Sequence, residues 1–488
     1  MSRILVGAKW RAVLPVLALA AFLLAACAPS TTVSSETSTP AAVPTVPPVE
    51  GATAIQTRPA EPAAKQTATT GPAPHKTTPP EAAPTPTPDW STLPPASQAE
   101  AVLSEAAPVV LEIRGLPPVD IALGLLNREQ LAEYLLGLIA ADYPLEEQQL
   151  DALEWSLLGI LAPGEDILNL QLELLGADIL GFYDEDVKTM YVIGGDGVGA
   201  AMLKFVLTHE YVHALQDAAF DLGAIDDLIG TGNADALAAF TALVEGDATA
   251  AGVVAFYRLV TPEELGEFLT ADSAASLPPS RARDFLNELL GFSYTAGWGF
   301  VEALLTEGGW DLVDVAYTDL PASTEQIMYP EKYLAGELPE DVQLPDLSES
   351  ALPGWTEMRR NVMGAFFLEL LFGEFGPGGF ASGWRGDEYA IYQDGTDNLL
   401  VLKTRWEAAV AGEFWDAATL FVQGDWLDSF SAGAARMVVA SDLVTWDWDF
   451  HSARLFRDGD EVYLVVGTDS AVVERVWEEL SGQDSASS

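Results

Sequence analysis

A chain of 488 residues, 49% of them hydrophobic, is long enough for one large domain or two ordinary ones with a sizeable buried core. Its 73 Asp and Glu residues against 23 Lys and Arg residues give a formal charge of −50, which would repel a phosphate backbone and argues against nucleic-acid binding. A single cysteine, Cys27, excludes a disulfide within the chain and a cysteine-based zinc cluster, so any metal site must use histidine and carboxylate ligands.

The first 26 residues have the pattern of an export signal. Basic residues precede an apolar run from Ala12 to Ala26, which is short for a membrane span. The run ends in Leu-Ala-Ala-Cys27, which resembles the lipobox of bacterial lipoproteins, where the cysteine is acylated and the chain is cleaved just before it. We therefore expect a lipoprotein signal peptide over residues 1–26 and a lipid at Cys27, which anchors the protein to the extracytoplasmic face of a bacterial cell membrane. An ordinary signal peptide or an uncleaved anchor is the alternative.

Residues 27–97 are rich in Pro, Thr, Ala and Ser and contain almost no aromatic residues. Such a segment cannot bury enough apolar surface to offset its ordering entropy, so we expect it to be disordered. Proline makes it semi-extended, which suits a tether that holds the folded part away from the membrane.

Residues 98–350 are predicted to form a mostly helical region with a small β-hairpin. The spacing of Leu and Ile predicts helices first, and the period then changes in DILGFYDEDVKTMYVIGG, which is typical of a hairpin. A helix is expected from about Val198 to Phe220, and a long helix over DALAAFTALVEGDATAAGVVAFYRLV. Helices are expected to dominate to about Thr318. Residues 320–341 have prolines near both ends and are expected to form a loop.

Residues 351–482 are predicted to form a C-terminal α+β accessory lobe. A helix is expected around Met358 to Phe375, followed by several strand-like segments and a last helix over SAVVERVWEEL. This region is either a small separate domain or a lobe packed on the first region. The whole chain is therefore predicted to be of the α+β class.

The stretch KFVLTHEYVHALQD contains two of the four histidines of the chain, His209 and His213, with Glu210 between them. On a helix, residues i and i+4 lie on one face, so both imidazoles can reach one ion and Glu210 can reach a water beside it. This is the pattern of a zinc hydrolase, in which the metal lowers the pKa of a water and the glutamate is the general base. The alternative is a pair of core histidines on an apolar helix.

Catalytic zinc usually takes three protein ligands. The metzincin pattern fails because its glycine and its third histidine are absent here. Glu245 is the predicted third ligand, because a carboxylate in the middle of a long, nearly uncharged helix is costly to bury without a partner. A helix cap or a surface carboxylate is the alternative. Asp217, Asp247 and Thr249 are predicted to support the ligand histidines.

His209-Glu210-x-x-His213, followed on a second helix by Glu245 in Glu-Gly-Asp-Ala, resembles a gluzincin metallopeptidase of the zincin fold over about residues 176–259. The resemblance implies one Zn²⁺ ion per chain, held by His209, His213 and Glu245, and peptide-bond hydrolysis with Glu210 as the general base. It also implies that an edge strand, which KTMYVIGG resembles, pairs with an extended peptide or protein substrate.

A gluzincin also needs a Tyr or His that donates to the oxyanion of the tetrahedral intermediate. Tyr329 is the predicted donor, with Tyr333 and His451 as further candidates and simple packing as the alternative role. The predicted function is a membrane-tethered, extracytoplasmic zinc metallopeptidase. Two other functions stay open: a catalytically inactive zincin-like lipoprotein that binds peptides or partners, and a metal-dependent hydrolase of another substrate. Glu210 favours an active enzyme, because a degenerate site could lose this base without losing the fold.

Overall fold

The chain is an α+β protein, and its described residues all belong to one compact unit. The computed structural model describes residues 95–193, 199–224, 231–270, 280–373, 379–423, 436–448 and 451–482. The predicted signal peptide, the predicted lipid site at Cys27 and nearly all of the predicted tether lie outside these ranges.

The first half of the described chain is mostly helical, and the second half is built on a sheet. The helices are α1 (Pro95–Arg114), α2 (Arg128–Asp142), α3 (Leu145–Leu157), α4 (Ile167–Asp178), α5 (Ala200–Phe220), α6 (Ala234–Leu259), α7 (Pro262–Thr270), α8 (Arg281–Ala316), α9 (Thr324–Met328), α10 (Pro330–Ala335), α11 (Gly364–Phe372), α12 (Ala411–Gln423) and α13 (Ser470–Ser481). The strands are β1 (Ala122–Leu126), β2 (Gly181–Asp184), β3 (Thr189–Ile193), β4 (Thr356–Asn361), β5 (Trp384–Asp394), β6 (Asp397–Trp406), β7 (Arg436–Val439), β8 (Leu443–Trp448), β9 (His451–Asp458) and β10 (Glu461–Gly467).

The predicted hairpin is present and forms part of a three-stranded sheet with the order β1-β3-β2. Strands β2 and β3 are antiparallel, while β1 pairs with β3 in parallel, from Ala122 opposite Thr189 to Leu126 opposite Ile193. The expectation that KTMYVIGG is an edge strand is therefore wrong, because β1, from far earlier in the chain, occupies its other side. The edges of this sheet are β1 and β2.

Helices α5 and α6 form the centre of the helical half. Every residue of α5 from Leu203 to Asp217 is buried, and 94% of the most apolar stretch of α6 is buried inside the protein. By length and composition alone, α6 could cross a membrane. A helix that is apolar on all sides needs neighbours on all sides, and here α1, α5 and α8 provide them.

Small residues let α6 approach its neighbours closely. A Cβ atom added to Gly297 of α8 would lie 2.1 Å from the carbonyl oxygen of Ala242, and one added to Gly246 would lie 2.2 Å from the Gly297 backbone. A Cβ atom at Gly252 would lie 3.2 Å from the Cα atom of His209. Glycine therefore places α6 in near-backbone contact with α8 at Gly246, directly after Glu245, and with α5 at Gly252, about two turns further on.

The second half contains a seven-stranded antiparallel sheet with the order β4-β5-β6-β10-β9-β8-β7. Successive residues of a strand alternate between two buried clusters: Leu464 belongs to the cluster that contains α11 and α12, and Val465 belongs to the one that contains α13. The sheet thus carries helices on both faces, which agrees with the predicted α+β character of this region.

Two local expectations from the sequence are wrong, one at the start of the sheet half and one just before it. Met358 lies in β4, and the following helix begins only at Gly364, where the Asp387 carboxylate accepts the N–H groups of Met363 and Gly364 at 2.8 and 2.9 Å. The segment expected to be a loop contains the short helices α9 and α10. Ser323 caps the first by accepting the Gln326 N–H, and proline begins the second.

Candidate metal centre

The three predicted ligands converge on one point. On α5, the Nε2 atoms of His209 and His213 lie 3.1 Å apart, and the Oε2 atom of Glu245 on α6 lies 3.2 Å from the first and 3.4 Å from the second. All three residues are buried, and His213 is the most exposed at 7%. Among the described residues, this is the group of His, Cys, Asp and Glu side chains that could hold a metal ion.

The spacing of these atoms fits a small divalent cation. Ligand bonds of about 2.0–2.1 Å in tetrahedral geometry place neighbouring ligand atoms about 3.3 Å apart, close to the triangle that the two nitrogens and the oxygen form. The other carboxylate oxygen of Glu245 is buried and has no hydrogen-bond partner among the described residues. A buried carboxylate oxygen without a donor is unfavourable unless a cation compensates it, so the donor set suits a metal.

Mutual electrostatics define the charges of the cluster. Burial opposes the ionisation of Glu245, but the two histidines outweigh it and lower the pKa of this carboxyl to about 2. Burial also opposes a charge on His213, but Glu245 and Glu210 outweigh it and raise its pKa to about 9. The pKa of His209 is lowered by burial, which favours a neutral ring with a free lone pair. A metal ion at the cluster therefore competes with a proton held mainly by His213.

Glu210 stands beside the cluster and is held by the edge of the small sheet. Ile193 donates its N–H to the Leu180 oxygen, so Leu180 belongs to a hydrogen-bonded pair of the β2–β3 ladder. Such pairs alternate along an antiparallel ladder, and the residues between them turn their N–H groups away from β3. Tyr183 is one of these, and its N–H donates to the Oε2 atom of Glu210 at 2.9 Å. Burial raises the pKa of Glu210 to about 8, although His213 and the Tyr183 N–H oppose the rise. A carboxyl with a pKa near neutrality is suited to take up and release a proton.

Gln216 orients His213, a role that the sequence reading assigned to Asp217. The Nδ1 atom of His213 lies 2.8 Å from the Oε1 atom of Gln216, whose Nε2 group donates to the Val244 oxygen at 2.9 Å. Because the amide nitrogen already donates to Val244, the Oε1 atom is left to accept, which fixes a proton on Nδ1 and frees Nε2 for a ligand. Asp217 instead accepts from the Tyr183 hydroxyl at 2.6 Å and pairs with Lys188.

Asp247 and Thr249 do not support the ligand histidines in the way expected from the sequence. Asp247 binds Arg114 and the hydroxyl of Tyr317, on the side of α6 away from Glu245. The hydroxyl of Thr249 is buried and has no hydrogen-bond partner within the described part of the chain.

Tyr294 of α8 lies beside the cluster and was not identified from the sequence. Its ring centroid is 5.9 Å from that of His209, and the residue is 1% exposed. Burial raises the pKa of its phenol, and the nearby charges of Glu245 and Glu210 raise it further, so the hydroxyl keeps its proton. The Tyr294 hydroxyl is also a hydrogen-bond partner of the Glu245 side chain, so this phenol is a protonated donor next to one of the three candidate ligands.

The three candidates named from the sequence have other surroundings. Tyr329 ends α9, and its hydroxyl has Ser382 as a hydrogen-bond partner. The Tyr333 hydroxyl donates to the Asp319 oxygen at 2.8 Å, and His451 begins β9 opposite Trp448 of β8. The described contacts of these residues do not include the metal-binding cluster.

Comparison with known proteins adds one match. Residues 352–477 match a family model described as "Domain of unknown function (DUF8575)". The match covers the sheet-containing part of the chain and leaves His209, Glu210, His213 and Glu245 outside it. No curated protein and no solved structure matches the chain.

Proposed function

We propose that the protein is a zinc-dependent metallopeptidase of the gluzincin type. The observation that carries this proposal is the triangle of His209, His213 and Glu245, with ligand atoms 3.1–3.4 Å apart and with Glu210 directly adjacent on the same helix. Two imidazoles and one carboxylate are the ligand set of several catalytic zinc sites, in which a fourth position stays open for water.

The roles of the protein side chains follow from their positions. Zinc held by His209, His213 and Glu245 would supply a Lewis acid that polarises the substrate carbonyl and lowers the pKa of a water to about 7. Glu210 takes a proton from that water as the new carbon–oxygen bond forms, and passes it to the amide nitrogen as the carbon–nitrogen bond breaks. The Tyr183 N–H holds one carboxylate oxygen of Glu210, which leaves the other oxygen for the water. The Tyr294 hydroxyl donates to the oxyanion that develops between these steps.

The edge of the small sheet supports a peptide as the substrate. Strand β2 is an edge strand, and the N–H of its residue Tyr183 points away from β3 and binds Glu210. An extended peptide can add to such an edge through main-chain hydrogen bonds, which would bring a peptide bond to the catalytic base. Because none of the cluster residues is more than 7% exposed, substrate entry requires a shift of the neighbouring elements.

We also propose that the enzyme acts outside the cytoplasm and is attached to the membrane by a lipid. The support is Cys27, the single cysteine of the chain, at the end of an apolar segment with a lipobox-like sequence. When bacterial cells that express the protein grow with a labelled fatty acid, the label should be incorporated into the wild-type protein and not into the Cys27→Ser variant. Equal labelling of both would contradict the anchor without affecting the proposed chemistry.

The proposed chemistry is tested by separating metal binding from turnover. Elemental analysis of the purified protein should give about one zinc per chain, and His209→Ala should lose it. Glu210→Gln keeps the size of the side chain but cannot accept the proton. It should retain zinc while cleavage of a peptide library falls by about 10²–10⁴. Glu263→Gln, an exposed glutamate on α7, is the matched control and should change neither property.

Two outcomes would contradict the proposal in different ways. Unchanged cleavage by Glu210→Gln would move the catalytic base elsewhere. Wild-type protein that binds zinc through His209, His213 and Glu245 but cleaves no peptide would favour the alternative, an inactive lipoprotein that binds peptides or partners.

A further inference from the structure

We propose that Arg114, the last residue of α1, positions the metal-ligating helices from the side opposite the metal centre. The inference rests on the proposed metal site, because it concerns the placement of Glu245. Helix α1 precedes the region of zincin resemblance, and the sequence assigns Arg114 no role. The argument depends on what α1 packs against, on the contacts of Arg114 and on the helical position of its partner.

Helix α1 lies across both ligand-bearing helices. Val102 and Val110 of α1 belong to one buried cluster with Leu207 and Val212 of α5 and Ala251 of α6. A helix that buries its apolar face in this way is part of the core that supports the centre, and its end is fixed relative to both α5 and α6.

Arg114 forms a two-pronged ion pair with Asp247 of α6. Its Nε atom lies 2.7 Å from Oδ1 and its Nη2 atom lies 3.1 Å from Oδ2, and both side chains are 0% exposed. The hydroxyl of Tyr317, the residue that follows α8, donates to the same carboxylate at 2.8 Å. Charge-assisted hydrogen bonds of this kind fix orientation as well as distance, because the planar guanidinium matches the carboxylate.

The same guanidinium contacts the other two helices that build the centre. Its Nη2 atom lies 2.6 Å from a carboxylate oxygen of Asp314 on α8, and its carbon lies 4.7 Å from the ring centroid of Trp310. Phe220, the last residue of α5, lies 5.8 Å from it and stacks on Tyr317. Arg114 therefore joins α5, which carries both histidines, and α6, which carries Glu245, to the last part of α8, beyond the break in that helix at Gly309.

The position of Asp247 on α6 lets the Arg114–Asp247 pair set the direction of the Glu245 side chain. Two residues along a helix turn the direction of the side chain by about 200°, so Asp247 and Glu245 project from nearly opposite sides of α6. Holding Asp247 therefore fixes the rotation of α6 about its axis, and with it the direction of the Glu245 carboxylate. Without Arg114, the buried Asp247 carboxylate would lack its cation, and α6 would have to rotate or shift to solvate it.

The test measures metal affinity in folded protein. Arg114→Met should weaken zinc binding by about 10- to 100-fold, as loss of a residue that orients a ligand does. Zinc affinity is read by competition with a chromophoric chelator, at a temperature where circular dichroism shows the native helix content. Adding Asp247→Asn to Arg114→Met removes the unpaired buried charge and should recover part of the affinity.

The matched control is Lys204→Met. Lys204 is also a buried cation, 2% exposed, and lies on α5 itself. It pairs with Glu264 at 2.8 Å and donates to the oxygen of Leu259 at the far end of α6, 14 residues after Glu245. Its loss should lower stability while leaving zinc affinity within about 2-fold, because it leaves α6 held by Arg114. If Arg114→Met fails to fold, Arg114→Lys keeps the charge but loses the two-pronged geometry, and the same loss of affinity is expected.

The outcomes separate this inference from the proposed function. Wild-type protein that binds no zinc would overturn both. Wild-type binding with equal zinc affinities in the Arg114 and Lys204 variants would overturn the positioning role alone and leave the metal centre in place.

Discussion

Replacing Arg359 by methionine should destabilise the helical half of the protein, although Arg359 belongs to the sheet half. This arginine lies in β4, and its Nη1 atom is 2.7 Å from Asp151 and 2.6 Å from Glu154, both on α3. Asp151 is 0% exposed and Glu154 is 1% exposed. The Tyr143 and Tyr389 hydroxyls donate to the same two carboxylates, so the ion cluster has uncharged partners as well.

The expected magnitude follows from burial. Removing one partner of a buried ion pair costs about 3–5 kcal/mol, because it leaves an uncompensated charge. Arg359→Met leaves the fully buried Asp151 carboxylate without its ion-pair partner, so we expect a loss of about 3–5 kcal/mol. Since whole domains are stable by only about 5–15 kcal/mol, this single change should remove much of the free energy of unfolding.

The neighbouring Arg360 is the matched control. Its side chain is 30% exposed, and it pairs with Glu357, which is 40% exposed, and with Glu388, which is 17% exposed. Solvent reaches all three groups and screens these pairs, so Arg360→Met should cost much less, about 1 kcal/mol. Urea titration followed by circular dichroism gives the free energy of unfolding of both variants. Equal midpoints for Arg359→Met and Arg360→Met would refute the reasoning.

The same contacts bear on whether the sheet half is an accessory. A chain that ends near Leu352 would lack Arg359, the ion-pair partner of the buried Asp151 and Glu154 carboxylates. It would also lack Asn361, whose side chain accepts the N–H of Ala234 at the start of α6. We therefore expect the shortened chain to fail to fold, which limited proteolysis and circular dichroism would show. A folded, active product would mean that the two halves are independent.

Three further changes test the centre and its surroundings. Gln216→Ala frees the ring of His213 and should weaken zinc affinity by about 10- to 100-fold in chelator competition; an unchanged affinity would remove Gln216 from the site. Gly297→Ala should destabilise by about 1–3 kcal/mol in urea titration because its Cβ atom would overlap α6, whereas Gly299→Ala, with open space around it, should be neutral or stabilising. Burial raises the pKa of Asp235 from 3.8 to about 8, so the folded chain binds this proton more tightly than the unfolded chain. The free energy of unfolding should therefore fall as pH rises from about 4 to about 8, and Asp235→Asn should flatten this dependence in urea titrations across that range.

The convergence of the three candidate ligands was largely predictable from local sequence. Helical periodicity alone places His209 and His213 on one face, and the spacing needs no knowledge of the fold. Glu245 was identifiable because it is a carboxylate in an otherwise apolar helix, where a charge needs a partner. The convergence of the three ligand atoms agrees with both arguments.

Residues that support the ligands were harder to identify, since several helical positions fit. Both Gln216 and Asp217 lie about one turn beyond His213, and the charged residue, Asp217, was the one predicted to orient a histidine. In the structure Gln216 reaches the ring, because Asp217 is held by Tyr183 and Lys188 from the hairpin. That competition involves a strand distant in sequence, so no local pattern reveals it.

Tyr294 shows what kind of signal was available for a long-range neighbour of the site. A glycine in the middle of an apolar helix lowers helix propensity, so its presence suggests a close backbone crossing. Gly246 lies next to Glu245 on α6, and its counterpart on α8 is Gly297, three residues after Tyr294. Residues three apart share a helix face, so the crossing at Gly297 turns Tyr294 toward α6 at the level of Glu245. Tyr329 was chosen for its place in a proline-bounded segment, which carries no information about spatial proximity. Pairing the glycines of two apolar helices would have favoured Tyr294. The loss of stability expected for Gly297→Ala and not for Gly299→Ala tests whether that crossing is as tight as this argument requires.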